Sequence, residues 1–172
     1  MTDRATGLMW TKNDSGYCMN WEEALEYVQK MNEQNYLGYS DWRLPNVKEL
    51  QSIVDYTRAP DASDPSHQGP AIDPIFNVTP IINEAGELDY PYYWTSTSAR
   101  MHSGEPMYYA WYVAFGRAVN NEGLDFHGAG AVRFDTKVEN RPAGEGGERI
   151  CTFVRLVRDA NSTQSVTGGN GG

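Results

Sequence analysis

Gly38-Tyr39-Ser40-Asp41-Trp42-Arg43-Leu44-Pro45-Asn46-Val47-Lys48-Glu49-Leu50 decides the fold of this chain. Proline disfavours helical backbone at the residue before it, so the chain is extended up to Leu44. Asn46 followed three residues later by Glu49 is a capping box, and Leu50, Ile53 and Val54 continue an apolar stripe at helical spacing. The segment therefore reads as a corner, an extended stretch turning into a helix, with Leu44 placed to staple the two. Arg43 can stack on Trp42, satisfy backbone carbonyls and pair with a carboxylate at once, so Trp42, Arg43, Pro45, Asn46 and Glu49 are expected to brace structure.

The same grammar occurs upstream. Asn20-Trp21-Glu22-Glu23 predicts a helix start, with Trp21, Ala24, Leu25, Val28 and Met31 facing inward and the stretch around Gly38 ending it. Before it, Asp3-Arg4-Ala5-Thr6-Gly7-Leu8-Met9-Trp10 reads as a turn feeding a strand. Beyond the corner the second helix should fade by Thr57, because Pro60, Pro65, Pro70 and Pro74 lie ahead. A long ordered loop follows, with a turn at Asp73-Pro74-Ile75-Phe76.

After Tyr90 the period becomes two. Tyr92–Thr97, Tyr109–Phe115, a weaker Ala131–Phe134 and the clear run Ile150–Arg158 are predicted strands. Alternation puts Tyr109, Trp111 and Val113 on one face and Tyr112 on the other, with Trp111 expected in the core and Tyr112 at the surface. Residues 141–148 read as a surface loop. Residues 1–159 form one domain and residues 160–172 a flexible tail rich in Ser, Thr, Gly and Asn.

Composition bounds the function. The chain has 172 residues, enough for one core, and 14 Lys+Arg against 23 Asp+Glu give a net charge of -9. That field disfavours nucleic acid and sulfated polymers. No run of about 18 apolar residues could span a bilayer. Cys18 and Cys151 do not have metal-ligand spacing; a long-range disulfide and two buried free thiols are both open. His67, His102 and His127 sit in loop-like surroundings outside any hydrolase or metalloprotease motif.

Four ordered segments, Asp3-x-x-Thr6-Gly7-Leu8-Met9-Trp10, Trp21-x-x-Ala24, Gly38 to Leu50 and Val154-Arg155-Leu156-Val157-Arg158, resemble the Lcl C-terminal domain family. The resemblance extends from residue 3 to about 159. It implies an α+β, C-type lectin-like fold, related to formylglycine-generating enzymes: two helices flanking a small, twisted, mostly antiparallel sheet with long irregular loops. It further implies a secreted, periplasmic or cell-surface setting. The formylglycine-generating relatives use a pair of cysteines in the C-terminal half, which this chain lacks, so catalysis as an oxidase, or as a hydrolase, is the minor alternative. Calcium-dependent lectins of the superfold carry Glu-Pro-Asn, where this chain has Glu105-Pro106-Met107, and methionine offers no hard oxygen ligand.

The expectation is a non-enzymatic recognition or adhesion module without an obligatory cofactor. It would bind a protein or neutral glycan through the late strands and loops, with Tyr92, Tyr108, Tyr112, Arg117, Asn120 and Asn121 as contacts. Some family members resemble adhesins for sulfated glycosaminoglycans. Here Arg100, Arg117, Arg133, Arg155 and Arg158 would have to converge against the acidic balance. Asn120, Asn121, Glu122 and Asp125 read as a polar hairpin turn, with a structural calcium as the alternative. A purely structural role in a larger surface protein is the rival reading, and self-association is compatible with either.

Overall fold

The computed structural model describes residues 1–83, 85–100, 103–104, 106–119, 128–138 and 152–161. The predicted Asn120, Asn121, Glu122, Asp125 and Cys151, together with His102, His127, the 141–148 loop and most of the tail, lie outside them. The chain is α+β, with short helices and mostly antiparallel sheets. In order these are β1 (Thr2–Asp3), β2 (Leu8–Trp10), α1 (Trp21–Glu33), α2 (Val47–Ser52), β3 (Ile81–Ile82), β4 (Leu88–Asp89), β5 (Tyr92–Ala99), β6 (Tyr109–Ala114), β7 (Val132–Thr136), β8 (Thr152–Phe153) and β9 (Val157–Asp159).

Both capping boxes form. The Asn20 side chain accepts from the Glu23 amide at 2.8 Å while Glu23 accepts from the Asn20 amide at 2.9 Å, and Asn46 with Glu49 repeats the exchange at 2.8 Å each way. Each box satisfies two of the amides that a helix start leaves unpaired. The second helix is shorter than expected, ending at Ser52, where the chain bends so that Val54 bridges Ile72.

The main sheet has the order β7-β6-β5-β8, antiparallel except for the β5–β8 pair. Alternate side chains point to opposite faces. Tyr92, Trp94 and Tyr112 meet Ala24 of α1, Trp42 and Leu156 on one face, while Tyr93, Val113 and Phe115 meet Leu50 of α2, Ile72 and Trp10 on the other. Covering both faces corrects one expectation: Tyr112 is fully buried and Trp111 only half-buried, leaning on Phe134 at 5.1 Å. Leu25 is likewise corrected from the inward stripe to 42% exposed, and Tyr27 packs against the core in its place.

A second sheet, β1-β2-β9, pairs the start of the domain with its last strand, Trp10 opposite Val157. The predicted single strand Ile150–Arg158 is two strands, β8 and β9, separated by Val154–Leu156. At the break Arg155 turns fully inward. Its Nη1 donates to the carbonyls of Thr11 (3.1 Å) and Lys12 (2.8 Å), and Nη2 donates to Asn77 O (2.8 Å) and to the Tyr93 hydroxyl (3.0 Å). The guanidinium lies over the rings of Phe76 and Tyr93, with the buried Asp14 carboxylate 3.9 Å away. Replacing Arg155 with Met should cost about 3–5 kcal/mol in urea unfolding, because buried acceptors and a buried carboxylate lose their donor.

At the corner, Asp41 pairs with the buried Arg158 (2.6 Å), and the Trp42 backbone exchanges hydrogen bonds with the Asn32 side chain. The expected Arg43–Trp42 stack is not what forms: Trp42 packs against Tyr36 and Tyr39, and Arg158 lies over Tyr39 at 3.8 Å. Arg43 instead forks onto Glu49 (2.7 and 2.8 Å) and reaches Asp159 (2.9 Å). Hydrogen bonding from Arg43 holds the Glu49 carboxyl below its ordinary value. Stability from that pair is therefore present above the unfolded carboxylate pKa and is lost as pH falls through the depressed value. Glu49→Gln keeps a capping oxygen but removes the charge. It should lower stability at pH 7 by about 0.5–1 kcal/mol, the pair being partly exposed, and the deficit should shrink in pH-resolved unfolding curves as pH falls below the ordinary carboxylate range and through the depressed value.

Candidate binding cleft

Between the β1–β2 hairpin, the segment after α2 and the Asp73–Phe76 turn lies a cleft of about 440 Å³. Local sequence makes its walls. Gly7 adopts φ +72° and closes the hairpin through its amide to Asp3 O at 2.9 Å, which sets Asp3 and Trp10 on one side. The short α2 releases Ile53–Tyr56, and Asp55 is fixed by its amide bonding Ala71 O at 2.8 Å. The Phe76 amide closes the third wall onto Asp73 O at 3.0 Å, and Phe76 itself is pinned beneath Arg155.

The rim is apolar and open. Tyr56 is 67% exposed and Ile75 51%. Tyr56 leans on Gly130, where an added Cβ would stand 2.6 Å from the ring at a backbone φ of +89°. A side chain at 130 would thus displace the ring as well as strain the turn.

Three carboxylates line the cleft, Asp3, Asp55 and Asp73. In each, Oδ1 accepts a backbone amide two residues on, from Ala5, Thr57 and Ile75 respectively, all at 2.9 Å. Bonds from the Thr57 hydroxyl and amide hold the Asp55 carboxyl below its ordinary value. Trp10 also lines the cleft, is 1% exposed, and its Nε1 donor has no hydrogen-bond partner.

The residues expected to contact a ligand are dispersed. Tyr92 is 1% exposed and its hydroxyl donates to Arg117 O at 3.2 Å, so with Tyr112 it belongs to the core rather than the surface. Arg117 is spent on structure: it forks onto Asp61 (2.6 and 2.9 Å) and donates to Leu88 O (2.9 Å), joining the long loop to β4. Tyr108 is half-buried beside the exposed Met107 at the start of β6. Arg155 and Arg158 are buried, so they cannot join a surface basic patch. Cys18 is disulfide-bonded, and the chain's other cysteine, Cys151, is outside the described residues.

Sequence reasoning missed Asp55, Tyr56 and Trp10 as cleft residues. Asp3, Trp10 and the Asp73 turn were visible as a strand and turn signals, but which of them share a cleft depends on long-range pairing.

His67, Asp64 and Ser66 do meet. Both the Asp64 carboxylate (3.1 Å) and the Ser66 hydroxyl (3.2 Å) lie at Nδ1, and Ser66 donates to Asp64 at 2.8 Å. A relay from serine through imidazole to carboxylate needs the two partners on different ring nitrogens, so this trio is a capped turn. Among the described residues no three His, Cys, Asp or Glu side chains are grouped to hold a metal, and no helix is long and apolar enough to cross a membrane.

No curated protein and no solved structure gives a match. A family model does, over residues 1–134, which include Asp3, Trp10, the corner and the whole cleft lining. The chain belongs to the Lcl C-terminal domain family.

Proposed function

We propose that this chain is a non-catalytic recognition module of a secreted, periplasmic or cell-surface protein, built on a C-type lectin-like fold, and that it takes its ligand in the Trp10–Tyr56–Asp73 cleft. The observation that carries the reading is the combination of an exposed aromatic and aliphatic rim with polar groups along the cleft walls, the ordinary composition of a ligand site. Membership of the family supports the surface setting. So does a disulfide at Cys18, the chemistry of an oxidising compartment. The late strands, expected to present the ligand face, have most of their rings in the core, which leaves Tyr108 and Met107 as a lesser surface.

A glycan and protein binding array on the whole chain tests this. The double variant Tyr56→Ala/Ile75→Ala should lose the leading saturable ligand by tenfold or more while keeping its circular dichroism, as truncated rim anchors do. Loss confined to Met107→Ala/Tyr108→Ala would place the ligand on the late strands. No saturable ligand for the unmodified chain would leave the purely structural role.

A further inference from the structure

The cleft's chemistry narrows what it takes. No Lys, Arg or His side chain is among its lining residues, while three carboxylates are, and the one ammonium there, that of Met1, donates to Trp10 O at 2.8 Å. An anionic ligand would meet an unfavourable field inside a chain whose net charge is already -9. The carboxylates are not grouped to chelate a cation either, since no described set of three acidic side chains converges on one point. They are spread along the walls, each with Oδ1 held by a backbone amide and no hydrogen bond at Oδ2, and so offer separate acceptors to separate donors.

Against those acceptors stands a buried side-chain donor that has no partner. Trp10 Nε1–H is buried without a partner, and a buried N–H in that state is normally met by something. A lysine or arginine side chain from a partner would serve the carboxylates but has no lone pair for the indole. A hydroxyl both donates and accepts. A ring of hydroxyls with an apolar C–H face would also use the exposed ring of Tyr56.

We propose that the cleft binds a non-anionic pyranose saccharide: one hydroxyl or ring oxygen accepts from Trp10 Nε1, further hydroxyls donate to Asp3, Asp55 and Asp73, and the sugar's C–H face lies on Tyr56. The inference rests on the cleft being the recognition site. Because Nε1 is sealed from solvent, a small shift of Trp10 or of the two-residue β1 accompanies engagement.

Indole N–H resonances report this directly. The five tryptophans give five such signals, and Trp10→Phe assigns the one that matters. The chain is titrated with methyl α-glucopyranoside, methyl β-galactopyranoside, glucosamine and a heparin-derived sulfated disaccharide. The Trp10 signal should move saturably with at least one of the first three, at millimolar affinity, and stay in place with the sulfated sugar. Response to glucosamine alone would mark an amino sugar as the ligand; response to a methyl glycoside would mark a neutral one. Affinity should fall about fivefold or more in Tyr56→Ala and in Asp55→Asn/Asp73→Asn, whose amide oxygens keep the turns closed. No movement of the Trp10 signal with any uncharged or amino sugar up to about 50 mM, where even millimolar binding would saturate, overturns the proposal, as does tighter binding of the sulfated disaccharide. If an array ligand is lost in Tyr56→Ala/Ile75→Ala while the sugars leave Trp10 unmoved, the cleft is a recognition site and only the saccharide assignment fails.

Discussion

The guanidinium of Arg155 is the constraint on which the remainder of the structure depends. It is fully buried, and its two Nη groups donate to backbone carbonyls of the segment after β2, a carbonyl of the loop after the long proline-rich stretch, and the Tyr93 hydroxyl on β5. A buried cation is costly unless it is paired and hydrogen-bonded, so the loops that supply its acceptors are fixed in place by the need to supply them. Asp14 completes the arrangement: it receives the Tyr93 hydroxyl at 2.7 Å and the Thr79 amide at 2.9 Å, joining the same loops from the other side. Burial and the Asp14 charge drive the Tyr93 phenol pKa far upward, so its proton stays available to this network.

A second arginine does similar work at the corner. Arg158 meets Asp41, and Arg43 meets Glu49 and Asp159, so the last strand and the entry to α2 are fastened by oppositely directed ion pairs. With β9 lying against β2, the beginning and end of the domain are held together at one place. The cleft opens beside that place. Its hairpin wall is the β1–β2 pair and its turn wall carries Phe76, held under Arg155.

Features set by neighbours in sequence were legible: both capping boxes, the corner at Pro45, the turn at Asp73 and the family itself. These depend on contacts three or four residues apart, and the chain spells them out. Features set by partners far away were not. Leu25 fits the apolar period of α1 yet is exposed, because the helix is rolled so that Tyr27 packs inward. Tyr112 and Trp111 were assigned to the wrong sides because alternation fixes only that neighbours differ, and the choice of side belongs to what covers each face. Arg155 and Arg158 lie in a run that reads as one continuous strand mixing apolar and basic groups. Their acceptors come from residues more than sixty positions earlier, which no local pattern announces.

The covered sheet also governs where recognition can occur. Helix α1 and the corner close one face of β5 and β6 and helix α2 closes the other, so the aromatic side chains that make those strands conspicuous in the sequence are consumed in holding the layers together. On the proposed reading, a ligand surface would then come from the edges, where loops leave the sheet. Among the described residues the edge next to β1 and β2 combines space, exposed rings and unspent hydrogen-bonding groups, whereas the Arg117 junction has spent its charges on Asp61 and Leu88. A frame with both faces closed leaves little else to reorder at such an edge, so on the proposed reading a small polar ligand would require only the local shift at Trp10 or β1.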